Sequence, residues 1–457
     1  MRSREPLTIP IQLDPKGEPR RSLHAQITAQ MIVAVDQGRL PGGMRMPSTR
    51  TLATELGISR GVASAAYTEL LTRGYLEARR GSGTYVAART RPTMRRSALG
   101  PPSTVDLTPG HLASELFPTA AWTTAWRRAA SAPPPARVPV LGLPELRNAL
   151  IRQVLWPMGV SLDRHIVVIT KGPAHALRLA LAALGAAPVG LELPAPPAIR
   201  AAVGTPVPLP VDGQGAGLDG VSRDCRVLIV APDGQLPLGQ PMTLERRRAV
   251  VAWAERTGGH VVMLTRAGTP SSGPTSLPGL LAAAGVDRTV MADAIGAHLT
   301  PALQLGYAVV PAALAAPITR LLRDSGETPP YIAQLAAAKL LRDGAMQAHG
   351  RRVLRLYAYK RQFLQSTLAP LGDRIRLGVP ETVGATPLYL PPGTDAAEVA
   401  SMLAARAIRV QTLTPYYWTG SPAPPALLVG YGHPTGAALR RGLAGLTEVI
   451  EAAGGAT

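Results

Sequence analysis

Between residues 38 and 88 the chain is punctuated so closely that few folds remain open to it. Two glycines and two prolines in LPGGMRMPS (40–48) forbid a helix there. Ser48 then stands before TRTLATELG (49–57), in which Leu52, Ala53 and Leu56 fall on one face and Gly57 suits a left-handed stop. Ser59 precedes a second helix running to about Arg73, with Val62, Ala66, Leu70 and Leu71 expected inward. Arg60, Gly61 and Ser64 remain on its outer face near the N-terminal end. Gly74 breaks that helix, and YLEARR, GSG and TYVA read as two short strands around a glycine turn. Upstream, SLHAQITAQMIVAVDQG (22–38) predicts a helix capped by Ser22 and stopped at Gly38. Its inward face carries Leu23, Ile27, Met31 (or Gln30) and Val35.

A short helix, a tight turn and a second helix is the layout that seats the second helix in a DNA major groove. The hairpin is then a wing, where Arg79 and Arg80 beside Gly81 and Gly83 offer cations and backbone N–H groups to phosphates or a minor groove. The formal charge is +19. It has two readings: a polyanionic partner, or a compositional bias in a chain rich in Arg, Ala, Gly and Pro that holds only four lysines (Lys16, Lys171, Lys339, Lys360). Residues 1–96 carry 16 basic against 7 acidic side chains, nearly half the excess in a fifth of the length.

The stretches GRLPGGMRMPSTRTLATELGISR, AAYTELLTRGYL and RRGSGTYV, at fixed separations, resemble the GntR superfamily of bacterial regulators. The resemblance implies base or phosphate contacts from Arg50 and Arg60, with Ser48 and Ser59 orienting helix N-termini on phosphates and Arg80 and Gly81 serving the wing. The plain alternative holds Arg50 in an internal salt bridge and leaves both serines as caps only. Val62 stands where the family usually has a threonine, which removes one polar DNA contact.

At 457 residues more than one domain is expected. The reading is a winged helix-turn-helix over 11–88, a Pro-, Ser- and Arg-rich linker over 89–115, and a large domain over 116–457. In the linker, Arg91, Arg95 and Arg96 either add phosphate affinity or belong to a solvated tether. Beyond it, HIVVIT (165–170), RVLIVAP (226–232), HVVML (260–264), TVMAD (289–293) and LGYAVVP (305–311) are strand-like. They alternate with amphipathic runs such as AHALRLALAALG and TLERRRAVVAWAERTG, the pattern of a mostly parallel sheet. A smaller α+β part is expected at the C-terminal end.

LGLPELRNAL, ITKGPAHAL, APDGQLPLGQPMTLERR, LTPALQLGYAVVP and HGRRVLRLYAYKRQ resemble the fold-type-I aminotransferases, in the form fused to a GntR domain in MocR-type regulators. That resemblance implies a pyridoxal phosphate site with a Schiff-base lysine, a carboxylate on the pyridinium nitrogen and backbone amides around the phosphate. The motif residues depart from it. Gly296-Ala297 occupies the Ser-Lys pair, Leu264 the aspartate position and Arg266 the tyrosine position; Gln304 replaces an arginine. Pro173 removes an amide donor from the phosphate turn. Lys171 with Gly172 is either a retained anion site or a surface lysine at a helix start, and Asp293 is either a new pocket residue or a strand-end acid.

The expectation is therefore a DNA-binding regulator whose enzyme-like domain has no catalytic residues and no cofactor; the alternatives are a conventional MocR-type regulator that binds pyridoxal phosphate, or a working aminotransferase with a DNA-binding appendage. That domain would serve a head-to-tail homodimer and a small-molecule effector, and the partner is a double-stranded operator. The single cysteine, Cys225, excludes an internal disulfide, and the eight histidines lack zinc-like spacing. The first twenty residues hold no apolar signal core and no run approaches the roughly 18 apolar residues of a membrane span, so a cytoplasmic protein is expected.

Overall fold

The computed structural model describes residues 22–36, 39–79, 82–87, 104–110, 112–156, 162–185, 188–265, 276–284, 286–296, 299–379, 384–418 and 421–453. The chain divides into two compact units at Leu99–Gly100.

The first unit contains α1 (Leu23–Asp36), α2 (Thr49–Glu55), α3 (Arg60–Thr72), β1 (Leu76–Arg79) and β2 (Gly83–Val86). Both helix starts form for the reason the sequence suggests. Ser48 and Ser59 adopt extended backbone and accept the N–H groups of Thr51 and Val62, at 3.1 and 3.3 Å. Gly57 and Gly74 lie at φ 63° and 68°, the left-handed region where a side chain would be strained. The buried faces are rotated from the expected ones. On α3 the core row is Ala63, Ala66, Tyr67 and Leu70, while Val62 and Leu71 are only half-buried. On α1 it is Ile27, Thr28, Met31 and Ala34, with Leu23 and Val35 at its edges. Tyr67 was hidden from the apolar pattern because it buries its ring while its hydroxyl donates to Pro47 O at 2.9 Å. That bond ties α3 to the turn before α2.

The wing pairs Leu76 with Val86 through Arg79 with Gly83. The turn at 43–46 lies along it: Met46 N–H donates to Thr84 O and Val86 N–H to Met44 O, both at 2.8 Å, and Arg45 bridges to Tyr85. A stretch that reads as a loop is thus a third strand-like edge.

The second unit opens with β3 (Val105–Asp106) and α4 (Thr119–Ser131), then α5 (Pro144–Leu150). The main sheet takes β4 (His165–Thr170), β5 (Val189–Leu193), β6 (Val207–Asp212), β7 (Gly215–Ala216), β8 (Val227–Val230), β9 (His260–Leu264), β10 (Thr289–Ala294) and β11 (Gly306–Pro311). Its order is β4-β11-β10-β9-β8-β5-β6-β7. Strands β10, β9, β8, β5 and β6 run parallel, whereas β11 is antiparallel to both neighbours. Between them run α6 (Pro173–Leu184), α7 (Pro197–Val203), α8 (Leu244–Thr257) and α9 (Leu277–Ala283); α10 (Ala315–Ser325) and α11 (Tyr331–Arg342) follow.

Both faces are covered. Val167, Ile169, Leu228 and Val230 join a core with α5, α8, α9 and α11, and the alternate residues Val168, Val227 and Ile229 join one with α6, α7 and α10. Strands β5 and β6 escape the sequence reading because VGLEL carries a glutamate and VPLPVD two prolines.

The C-terminal part packs α12 (Ala345–Leu368), α13 (Ala396–Ala405) and α14 (Gly436–Ala453) on a four-stranded antiparallel sheet. That sheet comprises β12 (Arg376–Leu377), β13 (Ala385–Tyr389), β15 (Gln411–Thr412) and β16 (Ala426–Gly430). Strand β14 (Ile408–Arg409) pairs in parallel with β3, and Leu107 is fully buried beside it. The residues from 104 onward, read as linker from their composition, are therefore part of this core.

Leu70 is 0% exposed at the centre of the first unit. Leu70→Ala should cost about 2–5 kcal/mol there. Hydrogen exchange on the whole chain should show lost protection across 23–86 with 165–310 unchanged; equal loss in both would refute independent units.

Candidate functional sites

The first site lies at the N-terminal ends of α2 and α3. Capping consumes the serine side chains internally: Ser48 Oγ also contacts Thr51 Oγ1 at 2.8 Å, so its hydroxyl is fixed over the helix start. Arg50, Arg60, Gly61 and Ser64 are all exposed. Among the described residues, the side chain of neither Arg50 nor Arg60 makes a hydrogen bond or ion pair (the Arg50 carbonyl accepts the Thr54 hydroxyl at 3.0 Å), so no described carboxylate holds Arg50 in an internal salt bridge. Two free guanidiniums beside two helix N-termini form a cationic surface that also carries the positive end of each helix dipole. Arg80 and Gly81 lie outside the described residues.

Two further arginines belong to the neighbouring hairpin. Arg79 is held by Glu77 at 2.6 Å and lies 4.5 Å over the Tyr85 ring. Arg45, which the sequence reading passed over, crosses the hairpin at Gly83: a Cβ there would lie 3.4 Å from Arg45 Nε. Its signal was the lone arginine inside an otherwise apolar, glycine-rich turn.

The second site is a cavity of about 320 Å³ at the carboxyl ends of the strands of the main sheet. Its lining comes from the segments that follow β4 (Pro173, Ala174), β5 (Ala195, Pro196) and β8 (Ala231, Gln235). The last residues of β9 and β10 complete it with Leu264, Thr265 and Asp293. Glu192, near the end of β5, is 4% exposed. Its carboxyl accepts Ala231 N–H, while Oε1 has no partner. Burial pushes its pKa up to about 8. Asp293 is buried as well and lines the cavity; it accepts Ala294 N–H at 2.6 Å and the Tyr307 hydroxyl at 3.4 Å. Burial first, and the Asp293 charge second, hold the Tyr307 phenol well above its ordinary pKa. Gln235 is spent on structure, donating to Pro194 O and accepting Leu238 N–H.

Leu264 occupies the cavity wall, and Arg266 and Ala297 lie outside the described residues. Lys171 and Gly172 do not line the cavity. Lys171 Nζ lies 3.3 Å from Glu327, its N–H donates to His175 Nδ1 at 3.0 Å, and Gly172 N–H points to Thr170 Oγ1 at 3.4 Å. Lys171 Nζ is paired with Glu327 on a partly exposed side chain, away from the cavity lining. The other described lysines are occupied too: Lys339 pairs with Asp343, and buried Lys360 holds Glu115 and the carbonyls of Gly432 and Pro434. Among the described residues no group of three or more His, Cys, Asp or Glu side chains could hold a metal ion, and no helix is long and apolar enough to cross a membrane.

A winged helix-turn-helix joined to a mostly parallel sheet with a small C-terminal sheet defines a two-part architecture, and comparison with known proteins agrees. Residues 23–86 match the family described as bacterial regulatory proteins, gntR family. The HTH-type pyridoxine biosynthesis transcriptional regulator PdxR of Corynebacterium glutamicum is 31% identical over 97% of this chain and 98% of its own. The probable rhizopine catabolism regulatory protein MocR of Rhizobium meliloti is 28% identical over 74% of this chain and 76% of its own. The multiple substrate aminotransferase of Thermococcus profundus superposes with a TM-score of 0.68 at 16% identity, covering 78% of this chain and 93% of that one. The α-aminoadipate aminotransferase LysN of Thermus thermophilus gives 0.66 at 21%, with 78% and 94% covered. The chain belongs to the MocR-type regulators of the GntR family, DNA-binding transcriptional regulators with an aminotransferase-like domain.

Glu192 gives a pH test. Its folded pKa of about 8 lies above the ordinary 4.5. The stability it contributes is present below pH 4.5 and is lost as pH rises toward 8, by at most about 1.4 kcal/mol per pH unit. Glu192→Gln removes that dependence, so the melting temperature of the variant relative to the parent should climb across the interval. Parallel curves would place the carboxyl in contact with water.

Proposed function

We propose that this regulator reads a specific double-stranded operator through the N-terminal ends of α2 and α3. Arg50 and Arg60 contact bases or phosphates; Ser48, Ser59, Gly61 and Ser64 set the helix ends against the backbone, and Arg80 and Gly81 act from the wing turn. The observation that carries this reading is the freedom of Arg50 and Arg60 on an otherwise packed unit, since a free guanidinium at a helix start matches guanine edges and phosphates alike. Arg45 adds a phosphate contact beside the wing. The protein works in the cytoplasm.

The large unit, in the same proposal, is a catalytically silent dimerisation and effector domain. Head-to-tail pairing of two copies would present two winged helices to half-sites about 34 Å apart, or a multiple of it. The cavity's chemistry supports the loss of catalysis. Pyridoxal phosphate needs a lysine for its aldehyde, a carboxylate on its ring nitrogen and donors for a dianionic phosphate. Among the described residues no lysine or arginine lines the cavity, and Leu264 stands where the resemblance puts the carboxylate. These residues do not fit the cofactor. A second reading, in which pyridoxal phosphate acts as a noncovalent effector, is favoured by one observation: the relative from C. glutamicum is named for pyridoxine biosynthesis.

Arg60→Ala should weaken operator binding by about 1–3 kcal/mol at matched salt and relax specificity at one position. Unchanged affinity removes Arg60 from the interface. For the large unit, saturation with pyridoxal phosphate should give no aldimine absorption band and no label fixed by borohydride. A band that borohydride traps would restore a covalent cofactor site, and saturable binding without a band would favour the second reading.

A further inference from the structure

We propose that the exposed face of the wing is a clamp for one DNA backbone phosphate, closed from two sides by Arg45 and Arg79 over the bare backbone of Gly83. The proposal rests on the reading that α2 and α3 meet an operator, and it adds an anchor that is blind to sequence.

Strand alternation decides which side chains share that face. Glu77 stands opposite Tyr85 and Arg79 opposite Gly83, while Arg45 bridges to Tyr85 from the other side. Directly opposed residues point the same way, and so do residues two apart on a strand. Glu77, Arg79, Gly83, Tyr85 and Arg45 therefore rise from one face. Leu76, Val86 and Met46, which alternate with them, are buried in the core on the other.

The two arginines cross as they lean over β2. Arg45 is paired with position 85 but lays its guanidinium over position 83, with Nε, Nη2 and Cζ at 3.4, 3.6 and 3.9 Å from where a Cβ would be. Arg79 is paired with position 83 but lies over the ring at 85, 4.5 Å from its centre. Gly83, at φ 114°, holds a conformation that side chains rarely adopt, and its missing side chain keeps the first slot open. Positions 83 and 85 are about 7 Å apart, at about 3.4 Å per residue. A phosphate that accepts charge-assisted hydrogen bonds of about 2.8 Å on both sides spans that separation. Donors remain on each arm. Glu77 takes Arg79 Nε and Nη2 at 3.0 and 2.6 Å, which fixes the fork and leaves its Nη1 edge. Among the described residues the Arg45 side chain has no hydrogen bond or ion pair. Guanidiniums lying over a sheet do not reach base edges in a groove about 8.5 Å deep. They meet a backbone that runs along the sheet, so the partner is a phosphate.

The test uses the full-length chain and two duplexes, one selected by the protein from a random pool and one of unrelated sequence. Log affinity is read against log salt for each. Arg45→Ala and Arg79→Ala should each weaken both duplexes severalfold, without changing the order of preference among selected sequences. The double variant should flatten the slope by about one, the loss of a single phosphate. Arg45→Lys should keep the parent slope. Flattening by about two describes two separate phosphates and overturns the clamp. An unchanged slope, an effect confined to the selected duplex, or a lysine variant no better than alanine overturns it as well. Both arginines are exposed, so hydrogen-exchange protection across 23–86 should be unchanged in every variant; lost protection places the effect in the fold and overturns the clamp. Arg60→Ala answers the separate question. If it leaves affinity and preference unchanged, the reading through α3 fails while the clamp stands on its slope.

Discussion

A parallel strand covered by helices on both faces can meet solvent or ligand only at its ends. In the large unit every second residue of β4 and β8 belongs to one core and the residue between to the other, so no side chain along the middle of these strands is available for chemistry. The polar groups that remain buried yet reachable, Glu192, Thr265 and Asp293, all fall within two residues of a strand's carboxyl end. There the crossovers leave the sheet and open a crevice. The position of the cavity is thus a consequence of how the sheet is buried. Its chemistry is set by which few side chains occupy those terminal positions.

The small unit solves a different problem. It has too little interior for a sheet covered on both faces and instead packs three helices and the wing hairpin on a core that includes Ile27, Met31, Leu52, Ala66, Leu70, Leu76 and Val86. Its functional surface is fixed by backbone chemistry at helix starts. A serine that accepts the N–H of the third residue beyond it keeps the helix from fraying where Arg50 and Arg60 project. Tyr67 and Pro47 then lock α3 to the turn that precedes α2. An arginine placed this way needs no partner of its own.

Much of this was legible in the residues. Serine caps, glycine stops and the GSG turn are local signals, and the structure places α2, α3 and the wing where those signals fall. Strands rich in Val and Ile announced themselves. Strands β5 and β6 did not, because glutamate and proline contradict strand propensity and only the neighbouring strands outvote it. The rotated faces of α1 and α3 were invisible for a related reason: Thr28 and Tyr67 count as polar in a pattern yet are buried once their hydroxyls find Glu69 and Pro47. The pairing of β3 with β14 spans some three hundred residues, and no local rule reaches that far. Glu192 was missed because a single glutamate at a strand end is unremarkable until its surroundings are known to be apolar.

Compositional bias cannot by itself explain the cavity. Only four of the 48 basic residues are lysines, so the lack of a lysine at any one place has a bland account in a chain that prefers arginine. That account does not extend to Leu264, where an acid has no reason to be depleted, nor to Glu192 and Asp293, which keep two buried acids around a space that holds no described cation. Each described lysine sits against a carboxylate, Lys171 with Glu327, Lys339 with Asp343 and Lys360 with Glu115. Where this chain needs a buried cation for stability it has kept one, as Lys360 attests.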